Sequence, residues 1–350
     1  MRRRFLIQRG GIAGVLAAGI APAVHAQAAT RWRLASSFAP PFDILLGAAQ
    51  SFARKVGEMS GGRFQIDVHA AGELMSPLGV LDGVERGAIE ACHTSGANFF
   101  AKNPAFAFGA AIPFGMNVRQ LAAWMNEGNG LKLTREFHAG FNAINFPCGS
   151  AGAQQLGWFR KEIRDVQDFR GLKVRTSGLA GRIFARLGAS PQEQAGAAVG
   201  AALGTSPYDD QKSGVAKGAR HAYFPGWWAG ALQLDLLVNQ KAFDALPADH
   251  KAIVQAASAS VNSEVLAKYD ARNPAAIRQL AGAGALFKPF PRRLIDAAFK
   301  ASMDVCSELS GSDAFWKKIH GDYRAFQKEQ LFGDRFLASP FDTYMQSAKL

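Results

Sequence analysis

Two short stretches near the start of the chain, Trp32-Arg33-Leu34-Ala35 and Phe64-Gln65-Ile66-Asp67-Val68, alternate apolar and polar side chains. A period of two predicts half-buried strands. Between them Ile44, Ala48, Phe52, Val56 and Met59 recur at intervals of four and three, one apolar face of a helix, and Gly61-Gly62 closes it. Strand, helix, strand is the opening of a doubly wound α/β lobe. The pattern continues with a helix from an N-cap at Ser76-Pro77 through Val80 to Arg86, a stop at Gly87 and a strand at Ala88-Ile89-Glu90-Ala91. Asn142 to Phe146 predicts another strand, and Pro147-Cys148-Gly149-Ser150 a turn-rich crossover between lobes. Leu172-Lys173-Val174-Arg175 reads as a strand and Leu179, Ile183 and Leu187 as a helix face ending at Gly188, while Leu234 to Val238 is a strand that returns to the first lobe. From Pro247 onward the periodicity is helical, with starts at Pro247 and Pro291 and a further helix near Asp313 to Gln327. The run Ala195 to Gly204 is built of small residues and predicts a tight turn or a loop.

The expected fold is therefore α/β in two lobes, with a crossover between them and a helical C-terminal region. Lobe one takes residues 27–147 and about 237–290, lobe two takes 148–236, and helices from 291–350 pack across the lobes or against a partner. The length of 350 residues exceeds what one small core needs.

Residues 1–26 combine a basic start, an apolar middle from Gly11 to Ala23 and the small-residue exit Ala23-Val24-His25-Ala26. That order predicts a cleaved secretory signal and a periplasmic protein. Arg2-Arg3-Arg4-Phe5-Leu6 resembles the twin-arginine export pattern. The formal charge of +12 falls to +8 without the four arginines of that segment, and the remaining basic residues are scattered. A nucleic-acid footprint is thus unsupported, whereas a modest positive surplus suits small anions. Cys92, Cys148 and Cys306 are odd in number and lack a C-x-x-C spacing, so they read as small buried hydrophobes.

No elbow, zincin, P-loop or dinucleotide motif occurs, and the histidines beyond residue 26 (His69, His93, His138, His221, His250 and His320) stand singly. The reading is a binding protein and not an enzyme. Arg175 ends a short strand and precedes Thr176-Ser177-Gly178 and a helix, which would set a bidentate cation beside free helix N–H groups, a carboxylate site. By position alone it reads first as a surface arginine at a strand end. Gln154 offers an amide that can donate to one ligand oxygen and accept from a hydroxyl. The paired Trp227 and Trp228 either fill the core or wall a cleft.

Further segments carry a more specific likeness: Trp32 to Phe38, Gly62 to Ile66, Pro104-Ala105-Phe106-Ala107-Phe108-Gly109 with Pro113-Phe114-Gly115, Gly157 to Ile163, Gly171 to Arg175, Pro207-Tyr208-Asp209-Asp210, Pro225-Gly226-Trp227-Trp228 and Leu236 to Asn239. Through these the chain resembles the periplasmic substrate-binding proteins of tripartite ATP-independent periplasmic (TRAP) transporters, in the branch that binds 2-oxo acids and related monocarboxylates. The resemblance implies an α/β, two-lobed periplasmic binding-protein fold with crossing hinge strands, a carboxylate held between the lobes and delivered to a membrane permease, and a homodimer as a further partner state. It places the carboxylate clamp at Arg175, a substrate-touching glutamine at Gln154, and site aromatics at Phe99, Trp227 and Trp228. A cation such as sodium is usual in that branch, held partly by a glutamate after the paired tryptophans. Here that position is Ala229, which implies a lost cation ligand. The stretch between Gly188 and Pro207 is also short, which implies a missing strand there, and Asp209 and Asp210 read as turn caps. A second reading keeps the fold without the ligand, as a periplasmic interaction or scaffold protein.

Overall fold

A computed structural model describes residues 30–154, 156–176, 178–192 and 200–348. The secretory segment expected over residues 1–26 lies outside the described residues, as do Ser177 and most of the small-residue run before Gly200.

The first lobe is built from β1 (Thr30–Ser36), α1 (Asp43–Met59), β2 (Phe64–His69), α2 (Val80–Glu85), β3 (Ala91–Thr94), α3 (Val118–Asn126), α4 (Gly130–Ala139) and β4 (Ala143–Ser150). The chain then builds a second lobe from β5 (Gly157–Phe159), β6 (Lys173–Arg175), α5 (Gly178–Arg186), β7 (Ser190–Gln192), β8 (Ala201–Leu203), α6 (Pro207–Ser213) and β9 (His221–Phe224). It returns through β10 (Gln233–Asn239) and continues as α7 (Gln240–Asp244), α8 (Ala248–Gly282), β11 (Leu286–Pro289), α9 (Arg292–Ser312), α10 (Ala314–Asp334) and α11 (Ala338–Ser347).

One sheet has the order β2-β1-β3-β10-β4 and the other β11-β9-β5-β8-β6-β7. In the first, β1 pairs in parallel with β2 and β3, and β10 runs antiparallel to β3 and β4. All seven residues of β10 are buried, as suits a strand covered on both faces. The apolar stripe of α1 sinks Ile44, Ala48, Phe52 and Val56 against β1, β2 and α8. Each large member of that stripe contributes about 1.5–3 kcal/mol of burial.

Several boundaries differ from the sequence reading. The Pro147 to Ser150 segment is the end of β4 and not a turn. Proline is tolerated there because β4 is an edge strand with one free side. The strand expected at Ala88 starts at Ala91. Both crossing strands belong to the first sheet, including residues 148–150 and 233–236, which were expected in lobe two. Leu286–Pro289, expected in lobe one, pairs in parallel with β9 in the second sheet. The long α8 packs on α1 and β4 at one end and on α6 toward the other, with Leu280 in a cluster with Trp158 and Ala222 of lobe two. Beyond it, α9 lies on α5 and α10 lies on α3 and α4.

Candidate functional site

Between the lobes lies a cavity of about 190 Å³. Lobe one contributes Ala97, Phe100, Ala107 and Ala111; lobe two contributes Arg175, Thr176, Gly178, Leu203, Gly204, Thr205 and Trp228; Gln154 and Leu232 stand beside the crossing strands. Arg175 is the last residue of β6 and α5 starts at Gly178, so the strand end and the helix start meet at the cavity wall as the sequence suggested. Among the described residues, no carboxylate is ion-paired with the Arg175 guanidinium, and the Gln154 side-chain amide has no hydrogen-bond partner. The Trp228 indole N–H is also buried without a partner. A guanidinium fork and an amide without partners in one small cavity form a donor site for an anion.

Two backbone approaches set the walls. Gly226 lies so close to the Gln154 carbonyl that a Cβ would overlap it, while the Gln154 N–H donates to the Ala229 carbonyl at 3.0 Å. Gly204 lies equally close to the Asp210 carboxylate. Asp210 accepts from Trp158 Nε1 at 2.8 Å and from the Thr205 N–H at 3.1 Å, which ties the cavity rim to the lobe-two core. Burial pushes the Asp210 carboxyl up to about 7, with Arg175 among the charges that hold it down. Sequence reasoning did not find this anchor; its signal was the Pro207-Tyr208-Asp209-Asp210 segment, read as turn caps. In fact Ser206 caps α6, and Asp209 accepts from Tyr269 Oη at 2.7 Å and from Ser206 Oγ at 3.1 Å.

Of the expected aromatics, only Trp228 lines the cavity. Phe99 is buried in the lobe-one core, edge-on to Phe106 at 5.5 Å, and its neighbour Phe100 faces the cavity instead. In a 3-10 turn a shift of one residue rotates the side chain by about a third of a turn, enough to exchange the two. Trp227 turns away as well, stacked on Phe114 at 5.5 Å and tilted on Phe184 at 5.1 Å. The strand expected to be missing before Pro207 is present as Ala201–Leu203, at the centre of the second sheet between β5 and β6. Its small side chains satisfy the ladder while filling little space.

Two α/β lobes joined by crossing strands, with an anion-ready cavity between them, define the class of hinged solute-binding proteins. Residues 35–313 match the family described as DctP, bacterial extracellular solute-binding protein, family 7, and the chain belongs to that family. A monocarboxylate 2-oxoacid-binding periplasmic protein of Nostoc sp. is 38% identical over 328 residues, covering 91% of this chain and 90% of that protein. A TRAP transporter solute-binding protein of Bordetella bronchiseptica RB50, a dimer with calcium and picolinate in one site, superposes with a TM-score of 0.89 at 34% identity, covering 92% of this chain and 98% of that one. A TRAP periplasmic solute-binding protein of Pseudoalteromonas atlantica T6c, with sodium and pyruvate bound, gives 0.86 at 30% identity, covering 92% and 100%.

Those cations set a test of the donor set here. A hard cation needs several oxygen ligands, usually with a compensating carboxylate. Ala229 is fully buried and apolar, and no carboxylate lines the cavity among the described residues. The nearby Asp210 already accepts two N–H groups. Neutral donors beside a fixed guanidinium do not fit such an ion.

Proposed function

We propose that this protein captures a small organic monocarboxylate, of the 2-oxo acid type, between its lobes and hands it to a TRAP-type membrane permease. The observation that carries the reading is the Arg175 guanidinium, without a counter-ion among the described residues and facing a cavity of about 190 Å³. Arg175 clamps the carboxylate, Gln154 takes the neighbouring oxygen, and Phe100, Leu203 and Leu232 enclose the apolar end. A single cation among otherwise uncharged lining residues favours monocarboxylates over dicarboxylates, since a second charge would be desolvated without a counter-ion. The names of the Nostoc and Pseudoalteromonas relatives support the same ligand class.

Capture here runs without a bound cation, because the donor set lacks the carboxylate such an ion needs. Work in the periplasm agrees with the location of the Nostoc relative and with the secretory pattern of residues 1–26. A second copy of the chain is the partner for the far C-terminus: Phe336, Leu337, Phe341 and Tyr344 are 65–73% exposed along the approach to and face of α11, and the Bordetella relative is a dimer. A calorimetric screen of the full chain against pyruvate, longer 2-oxo acids, lactate, picolinate and succinate tests the ligand class. Micromolar binding of one or more monocarboxylates with none of succinate is expected; preference for succinate, or no binding at all, would overturn it.

A further inference from the structure

A groove of about 470 Å³ lies in lobe one, away from the cleft, and none of its lining residues is shared with the cleft cavity. The α3–α4 hairpin forms one wall, one stripe of α8 the other, and the edge strand β4 the floor. Arg135 reaches into it from α4. Its guanidinium sits 5.1 Å from the centre of the Phe146 ring, and its Nε donates to the Asn145 carbonyl at a long 3.5 Å. Among the described residues it has no carboxylate partner, whereas Arg33, Arg63, Arg119, Arg186 and Arg293 are all ion-paired. Burial lowers the Arg135 pKa, and no neighbouring acid offsets that. A half-desolvated guanidinium without a counter-charge is costly and is usually compensated.

The facing wall is suited to compensate it through a ligand. Gln255, Asn262 and Ser263 fall on one face of α8 at helical spacing. Asn262 spends its amide oxygen on the Gly149 N–H and on Gln233 Nε2, both at 2.9 Å. Its NH2 group is left without a partner among the described residues. Met125, Leu131, Phe146 and Pro147 supply the apolar lining, and Asn126 and Ser258 add two further polar groups.

We infer that this groove is a second ligand site, for an amphipathic organic carboxylate whose carboxylate meets Arg135 and the Asn262 NH2 and whose apolar body lies on Phe146 and Leu131. The planar fork of arginine accepts a carboxylate at two points, and an adjacent aromatic floor selects a ligand with a flat or branched body. Inorganic phosphate satisfies the charge but not the floor.

The test uses the full chain carrying Arg175→Ala, which silences the cleft, with benzoate as the probe and inorganic phosphate as the second arm. Saturable benzoate binding by calorimetry is expected to persist in Arg175→Ala and to weaken at least tenfold when Arg135→Gln is added, the loss of one or more charge-assisted hydrogen bonds. Should Arg135→Gln unfold the lobe, Ser263→Asp, on the exposed wall, sets a competing carboxylate against Arg135 and is expected to abolish binding while leaving the thermal midpoint in place. Phosphate is expected to bind more weakly than benzoate. Absence of benzoate binding in Arg175→Ala, indifference to both groove substitutions, or phosphate binding as tight as benzoate would overturn the assignment. Failure of the cleft reading is seen separately, as an Arg175→Ala protein that still binds its 2-oxo acid with parental affinity.

Discussion

Replacing Arg175 by alanine removes the one guanidinium that lines the cleft cavity among the described residues. Two parallel N–H bonds to a ligand carboxylate are worth about 1.5–3 kcal/mol each, so their loss costs about 3 kcal/mol at the lower end. That converts to roughly two orders of magnitude in Kd. Among the described residues no other cation lines the cavity, whose remaining polar lining is Gln154, Thr176, Thr205 and Trp228. Arg175→Lys keeps the charge but not the fork, so about half of the loss should return, leaving roughly a tenfold deficit. Titration calorimetry with the tightest monocarboxylate of the screen reads both numbers. Fold integrity is judged from the thermal midpoint, which the alanine substitution should barely move because Arg175 has no ion pair to lose among the described residues. An Arg175→Ala protein with unchanged Kd and an unchanged midpoint would refute the clamp and with it the placement of the ligand.

Exchanging sodium for choline at constant ionic strength, or adding chelator, should leave the Kd unchanged, while raising total salt should weaken binding through screening of Arg175; a collapse of affinity without sodium would show a cation site after all. Burial pushes the Asp235 carboxyl up to about 8, only partly offset by the neighbouring Asn145 amide. A carboxyl raised in the folded state binds its proton more tightly there than in the unfolded chain, so its contribution to stability falls as pH rises from about 4 to 8. Asp235→Asn should therefore raise the thermal midpoint at pH 8 and do little at pH 4.5, and an equal shift at both values would sink the argument. Cys92, Cys148 and Cys306 are buried and unpaired, and burial pushes each thiol up, so a thiol reagent should label none of them in the native protein and all three in denaturant. Phe341→Asp should shift any dimer toward monomer in size-exclusion chromatography with light scattering, without loss of ligand affinity.

The elements that the sequence revealed are those whose burial imposes a period. The α1 stripe and the alternation of β1 and β2 face one core, so their apolar residues repeat with the spacing of the helix or strand. Arg175 was legible for a local reason, because a strand end and a helix start lie within three residues of it. Phe99 was misplaced because a 3-10 turn has no long period to reveal which of two adjacent rings faces inward. Trp227 and Trp228 posed the same difficulty, and only packing on Phe114 and Phe184 decided that Trp227 belongs to the core. The Ala201–Leu203 strand was hidden by its own composition, since alanine carries little strand preference and the pairing with β5 and β6 is long-range. Asp210 depends on Trp158, far away in sequence, and no local pattern announces a bond of that separation.

The position of β10 between β3 and β4 bears on how the chain assembles during synthesis. Both neighbours emerge before residues 151–232, and the strand that joins them emerges afterwards. Until then β3 and β4 have no common partner, and the apolar side chains that β10 covers on both faces stay open to the surroundings. The second sheet waits longer still, because β9 gains its outer neighbour β11 only at Leu286–Pro289. Lobe one therefore cannot close as an independent N-terminal unit, and the contacts that matter most are those of greatest separation, a topology that folds slowly and late. A nascent chain arrested before residue 239 should be protease-sensitive throughout and should engage holding chaperones, with protection appearing over the whole molecule only after the C-terminal helices are released.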